Sequence, residues 1–235
     1  MRKLILVLGG SMALTAAPLA TADILGAGAS VSYWHPGLSG DINNYDVEDD
    51  LDLDTDGSVS LEALVEHPVP VLPNVRLGYT LIEQDGNGTV TYNGATGQSE
   101  FDLEQLDLTL YYEVLDNWVN IDLGLTVRDL SAELLVTDQN NSANQEKIDV
   151  SGALPMGYVA ARFDLPFTGV SAGVQGNVIS FDGDSIHDVD AYGQYEISVV
   201  QLRLGYRQMA VDYEDSNNLL DVTLGGPYAS VGVDF

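Results

Sequence analysis

Three groups of residues carry side chains able to do chemistry. The first is the run Asp46-Val47-Glu48-Asp49-Asp50-Leu51-Asp52-Leu53-Asp54-Thr55-Asp56-Gly57, which with Asp41 gathers eight acids into one stretch of chain. Asp52, Asp54, Asp56 and Gly57 match positions 1, 3, 5 and 6 of a calcium loop, where alternate carboxylates converge on a hard cation and a glycine turns the backbone. The match then fails, because Ala63 stands where the closing bidentate carboxylate belongs. That gap argues against an EF-hand. It leaves weak Ca²⁺ or Mg²⁺ binding by Asp52, Asp54 and Asp56 as one expectation, beside a solvated acidic segment held open by self-repulsion.

The second group is cationic and small. The chain has 235 residues, 8 Lys+Arg against 36 Asp+Glu, and a formal charge of −28. Nucleic acid is disfavoured as a partner, since phosphate binding needs clustered cations. Beyond Lys3 the cations are Arg76, Arg128, Lys147, Arg162, Arg203 and Arg207. The third group is His35, His67 and His187. His35 or His187 with Asp188, Asp190 or Asp41 could serve a hydrolase, but no nucleophile motif such as G-x-S-x-G accompanies them. His67 lies in a stretch with Pro68, Pro70 and Pro73, an implausible place for catalysis. Cysteine is absent, which removes disulfides, thiolate zinc sites and Cys nucleophiles.

Any such residues must be held by β-structure. Residues 1–22 read as a cleaved signal peptide: a cationic Met1-Arg2-Lys3, an apolar run from Leu4 to Leu14, and a small-x-small site at Ala20-Thr21-Ala22. The apolar run is too short for a spanning helix, which needs about 20 residues. Residues 23–235 then form one domain with six cationic and 36 acidic residues. Here the apolar pattern has period two. From Trp118 to Leu130, Val119, Ile121, Leu123, Leu125 and Val127 share one face and Asn120, Asp122, Gly124, Thr126 and Arg128 the other. Leu106 to Val114 repeats the pattern, and Leu115-Asp116-Asn117 joins the two into a hairpin.

Similar segments at Ile24–His35, Val59–Glu66, Val75–Glu83, Ile148–Phe163, Gly169–Phe181, His187–Ser198, Gln201–Tyr213 and Leu220–Phe235 bring the count to ten. An eight-stranded count stays open. Connections alternate long and short, with residues 36–58, 84–100 and 131–147 the longest. That asymmetry is expected of a transmembrane antiparallel up-and-down β-barrel, with long loops outside and short turns in the periplasm. A secreted or periplasmic β-sandwich is the alternative. Two details fit poorly. Val199-Val200 is a weak turn, and the phase slips near Glu104-Gln105 and between Arg207 and Met209, where a bulge is expected.

The polar faces carry large charged groups. Arg76, Arg128, Arg203 and Arg207, with Glu62, Glu66, Asp107, Glu113, Asp122, Asp190 and Glu196, are expected to form an ion-pair network in the barrel lumen. That network reads either as a plug or as the selectivity ring of a narrow pore, and about eight strands leave room only for side chains. Trp34, Tyr33 and Tyr213 at one rim, with Trp118, Phe163, Phe167 and Phe235 at the other, read as interfacial girdles. Phe235, with Val233 and Val231 alternating before it, is similar to the terminal signal read by the outer-membrane barrel assembly machinery, although Ser230 stands where Gly is common.

Several segments extend this likeness. Glu66–Leu77 (EHPVPVLPNVRL), Leu106–Asn117 (LDLTLYYEVLDN), Ile121–Leu125 (IDLGL), Leu154–Met156, Arg162–Pro166, Gly205–Arg207 and Gly226–Ala229 resemble a proteobacterial family of uncharacterised outer-membrane β-barrel proteins of about this length. The likeness covers nearly all of residues 23–235. It implies fold and an integral place in the outer membrane of a Gram-negative bacterium, facing lipid and lipopolysaccharide; it brings no activity, ligand or catalytic residue. The expected function is a non-enzymatic structural envelope component or narrow porin-like pore with acidic loops, the alternatives being a surface hydrolase at the lipopolysaccharide layer or an adhesin or receptor.

Overall fold

The computed structural model describes residues 25–42, 45–47, 57–69, 71–92, 95–138, 140–141, 143–181, 183–215 and 218–235. The expected signal peptide and the acids Asp52, Asp54 and Asp56 lie outside them. The strands are β1 (Gly26–Trp34), β2 (Gly37–Ile42), β3 (Tyr45–Asp46), β4 (Ser58–Glu66), β5 (Asn74–Tyr92), β6 (Ala95–Leu115), β7 (Val119–Asp138), β8 (Gln145–Leu165), β9 (Val170–Phe181), β10 (Asp184–Ile197), β11 (Val200–Asp215) and β12 (Asn218–Asp234). Among the described residues there is no helix.

Strands β1 and β4 to β12 pair in chain order, all antiparallel, and β12 returns to β1, so the sheet closes into a ten-stranded barrel. The closing pairs run from Gly28 opposite Asp234 to Trp34 opposite Tyr228. Past the seam, Phe235 donates its N–H to Ala27 O at 3.0 Å and accepts from Ala27 N at 3.2 Å. β2 is β1 resumed. It continues along β12 in the same register, from Gly37 opposite Gly225 to Ile42 opposite Leu220. Only the His35-Pro36 step interrupts the ladder, because proline has no N–H to give. Gly226 is required there, since a Cβ would lie 1.9 Å from His35 O.

Residues 84–100 and 131–147, expected as loops, are largely strand. β5 runs on to Tyr92 and β6 starts at Ala95; β7 reaches Asp138 and β8 starts at Gln145. The long side of the barrel is therefore built of projecting β-ribbons. The opposite end has tight turns, among them Ser198-Val199, where Ser198 takes the left-handed φ of 60° that makes this turn workable without glycine.

The expected bulges near Glu104 and Met209 are absent. Tyr79, Thr80 and Leu81 face Leu106, Gln105 and Glu104 in unbroken register, as Asp190, Val189 and Asp188 face Arg207, Gln208 and Met209. What changes there is polarity. Toward the turn end, outward positions are aliphatic on every strand, for example Val31, Leu61, Leu77, Leu108, Leu125, Val159, Val174, Val189, Leu204 and Val231, all well exposed. Toward the ribbon end the exposed outward positions are Glu83, Asp85, Glu100, Asp102, Glu104 and Asp129. Inward positions invert in step, so that Leu103, Leu134, Val136, Ile82, Met209, Val222 and Leu224 form the buried apolar cluster. The true irregularities lie elsewhere, between Glu113 and Leu115 and between Gly88 and Tyr92.

Candidate functional site

The lumen is stacked in layers, each set by the inward residue that alternation delivers at that height. The uppermost is dry: Trp34, Leu38, Val47, Ile82, Leu103, Leu134, Val136, Met209, Val222 and Leu224 pack as one cluster. The expectation that Trp34 belongs to an outer girdle is corrected here. Trp34 is 1% exposed inside the barrel, its Nε1–H donating to Gly226 O at 3.1 Å, because the period-two face of Ser30 and Ser32 carries it inward. Of the other aromatics expected in the girdles, Tyr33, Trp118, Phe163, Phe167 and Phe235 are exposed, and Trp118 lies 6.0 Å from Phe163, while the side chain of Tyr213 lies outside what the structure describes.

Beneath the dry layer sits a charge cluster. Arg128, 1% exposed, gives Nε and Nη2 to the two oxygens of Asp107, each at 2.8 Å, and Nη2 also to Asp188 Oδ2 at 2.7 Å. Arg207 clamps Asp188 from the other side at 2.9 and 2.8 Å, gives Nη1 to Thr80, and lies 4.8 Å over the Trp34 ring. Two guanidinium groups and two carboxylates thus saturate each other, the condition under which buried charge is tolerated. Asp188 is the acid that sequence reasoning pairs with His187 at the rim. Alternation turns His187 outward and Asp188 inward, so that pair is not assembled; Asp190 also points inward.

The middle layer is built on Arg76. Its guanidinium lies 5.1 Å from the Tyr111 ring and 5.3 Å from the Tyr158 ring, with Nη1 donating to Tyr158 OH and to Gln175 Oε1. Glu62 stands 3.9 Å from Arg76 Nε, and Tyr111 OH donates to Glu66 at 2.7 Å. Gln175 passes the contact on by donating Nε2 to Asp190 at 3.1 Å. At the turn end Arg203 stacks on Tyr192 at 4.1 Å and donates twice to Gln194 Oε1, while Arg162 bonds Asp164, which also accepts from Asn120.

Of the residues expected to form one network, the structure brings Arg128, Arg207 and Asp107 into a single cluster and links Arg76 with Glu62 and, through Gln175, with Asp190. It does not join Glu113, Asp122 or Glu196 to any arginine as an ion pair among the described residues. Glu113 and Asp122 face each other across β6 and β7, and Glu196 is exposed at a turn. Arg203 takes an amide rather than Asp190 or Glu196. Sequence reasoning missed Asp188, Asp164, Gln175, Gln194, Tyr111 and Tyr158 as members of the network; all lie at inward positions, so alternation alone could have found them.

At the turn end His67 staples a chain reversal, accepting from Val69 N at Nδ1 and donating Nε2–H to Pro73 O. Val231 and Val233 face outward, and Phe235 is 72% exposed. Among the described residues no set of His, Cys, Asp or Glu is arranged to hold a metal. Among the described residues the lumen keeps cavities of about 130 and 210 Å³ that share Ser30, Glu62, Arg76, Gln175 and Arg203. They run from the turn end up to Trp34.

These features define a closed, ten-stranded antiparallel β-barrel with an apolar belt and a polar, largely filled lumen. No protein-family model and no curated protein matches the chain. Among solved structures it is similar to a major outer membrane protein from Thermus thermophilus, at 15% identity and a TM-score of 0.36, with 89% of this chain and 99% of that chain covered.

Proposed function

We propose that this chain is an integral outer-membrane β-barrel whose lumen is plugged, acting as a structural component of the envelope and belonging to the proteobacterial family its sequence resembles. The belt supports the membrane part. Soluble monomers rarely expose contiguous apolar patches beyond a few hundred Å², whereas here aliphatic side chains face out on all ten barrel strands. On β6 the belt runs from Leu106 to Val114, matching the about 9–11 residues a tilted strand needs to cross. The tight turns then face the periplasm, the ribbons and their acids the exterior, and an export signal accounts for the route.

The observation that carries the plugged reading is Arg128, sealed in a closed charge cluster directly below a dry apolar layer. An ion entering from the ribbon end would have to cross both, at the full cost of losing its water. Protein inserted into planar bilayers at neutral pH is expected to show no unitary conductance. Stable cation-preferring openings would overturn the plug in favour of the pore.

A further inference from the structure

The wall of the barrel is not equally high all round. β8 and β9 pair only from Gly157 opposite Val178 to Leu165 opposite Val170. Above that point β8 runs on through residues 145–156 with β7 as its sole mate among the described residues, and β9 through 179–181 with β10 alone. Pro155 explains the parting. Asp164 gives its N–H to Trp118 O on the β7 side and the register with β7 is unbroken, so even-numbered residues of β8 turn their main-chain groups to β7 and odd-numbered ones away from it. Pro155 therefore stands where a donor to β9 is needed and has none. The result is a notch in the ribbon half, and one side of it is a bare strand edge. The N–H and C=O groups of Lys147, Asp149, Ser151 and Ala153, all exposed residues, point into it.

Both faces of that edge carry a demand. On the outward face, Glu83, Asp102, Glu133 and Asp149 stand directly opposite one another across β5, β6, β7 and β8, where like charges destabilise a sheet. Partial burial and the charges of Glu133 and Asp85 hold the Asp102 carboxyl above its ordinary range. Residues 82–104 and 129–154 hold ten acids and one basic residue, Lys147, which bonds Glu133 at 2.9 Å and Asp149 at 3.0 Å. Asp149 ends the row at the bare edge, so a strand added there sets its own residue opposite Asp149. On the inward face Val150 is 53% exposed and a Cβ on Gly152 would meet nothing within 4 Å. Phe181, on the β9 side of the notch, is 80% exposed.

We propose that this notch docks an extended segment of a partner protein, which adds to β8 as a further strand, carries a basic residue opposite Asp149 and lays apolar residues against Val150. Main-chain hydrogen bonds supply the attachment, and the two faces supply the choice. A second copy of this chain is a poor occupant, since 36 acids against 8 basic residues would bring a like-charged head to an acidic edge. The notch lies in the ribbon half, so the proposal stands or falls separately from the conductance result.

The test uses the full chain refolded in detergent and a fluorescein-labelled peptide, Thr-Val-Thr-Val-Arg-Val-Thr-Val-Thr. Anisotropy is expected to rise saturably, and the same peptide with glutamate at its centre is expected to bind at least about tenfold more weakly. Asp149→Lys should invert that order. Ser151→Pro removes one edge N–H at a place where proline is tolerated, and should weaken the arginine peptide about tenfold. In single-residue hydrogen exchange, bound peptide should slow the amides of Lys147, Asp149, Ser151 and Ala153 and leave those of Ile148, Val150 and Gly152, which turn to β7, unchanged. Circular dichroism and heat-modifiable migration establish that each variant is folded, and the Asp149→Lys inversion decides if Ser151→Pro is not. Absence of saturable binding, equal binding of the two peptides, or slowing that ignores the odd-even alternation would overturn the proposal. A concentration-dependent dimer of the chain alone that protects the same amides would also overturn it, giving the edge to a second copy.

Discussion

The turn half and the ribbon half of this barrel share strands, register and hydrogen-bond ladders, yet they are built inside out relative to each other. On β7, Arg128 points inward and Val127 outward; only a few residues on, Leu134 is 6% exposed inside and Asp129 exposed outside. Backbone geometry is the same on both sides of that step, so the difference is one of solvent. In the turn half the apolar medium lies outside and polar groups must find each other in the lumen. In the ribbon half water lies outside and burial drives Leu103, Leu134 and Ile82 inward, as in a soluble protein. One strand thus carries two folding logics, and their boundary is the height at which the medium changes.

Substitutions at matched positions test that division. The largest effect is expected at the boundary. Asp188→Asn leaves Arg128 and Arg207 short of a shared counter-charge and should cost about 3–5 kcal/mol, read as a lower urea midpoint in detergent or lipid. Next is the dry layer, where Leu103→Ala removes a side chain 4% exposed and should cost about 3 kcal/mol. Arginine then separates the two exteriors. Leu125→Arg in the belt should cost about 2–3 kcal/mol in bilayers, whereas Ser131→Arg on the same face of β7 should stay within about 0.5 kcal/mol. Equal costs at those two sites would erase the proposed boundary. Smallest among the lumen changes, Tyr111→Phe removes the hydroxyl that donates to Glu66 and should cost about 1 kcal/mol.

Much of the turn half was legible in the sequence because one rule, alternation, covers ten strands under one solvent. Every barrel strand expected there is present. The ribbons were not legible as strands, because Asp85, Glu100, Asp102 and Glu133 are acids of the kind loops carry, and because alternation there runs in the opposite sense. The apparent phase slips at Glu104 and Met209 came from the same cause: an inversion of polarity looks, in a one-dimensional string, like an inserted residue. Trp34 was misplaced because aromatic residues near a strand end fit a girdle by composition, while its parity with Ser32 already fixed it inside. The partners of the arginines were harder. Arg203 bonds Gln194, the residue directly opposite it, so the register alone gives that pair; Arg207 faces Asp190 in register yet bonds Asp188, a choice that depends on strand tilt and side-chain lean, which residue order does not carry.

The reciprocal bonds between Ala27 and Phe235 have a kinetic meaning. The ladder that shuts the cylinder joins the two ends of the described chain, so most of the sheet must already be arranged before its first strand finds a mate on that side. High contact order of this kind slows folding and leaves β1 with a bare, adhesive edge for the whole interval. A catalyst that covers that edge until β12 arrives would shorten the dangerous period.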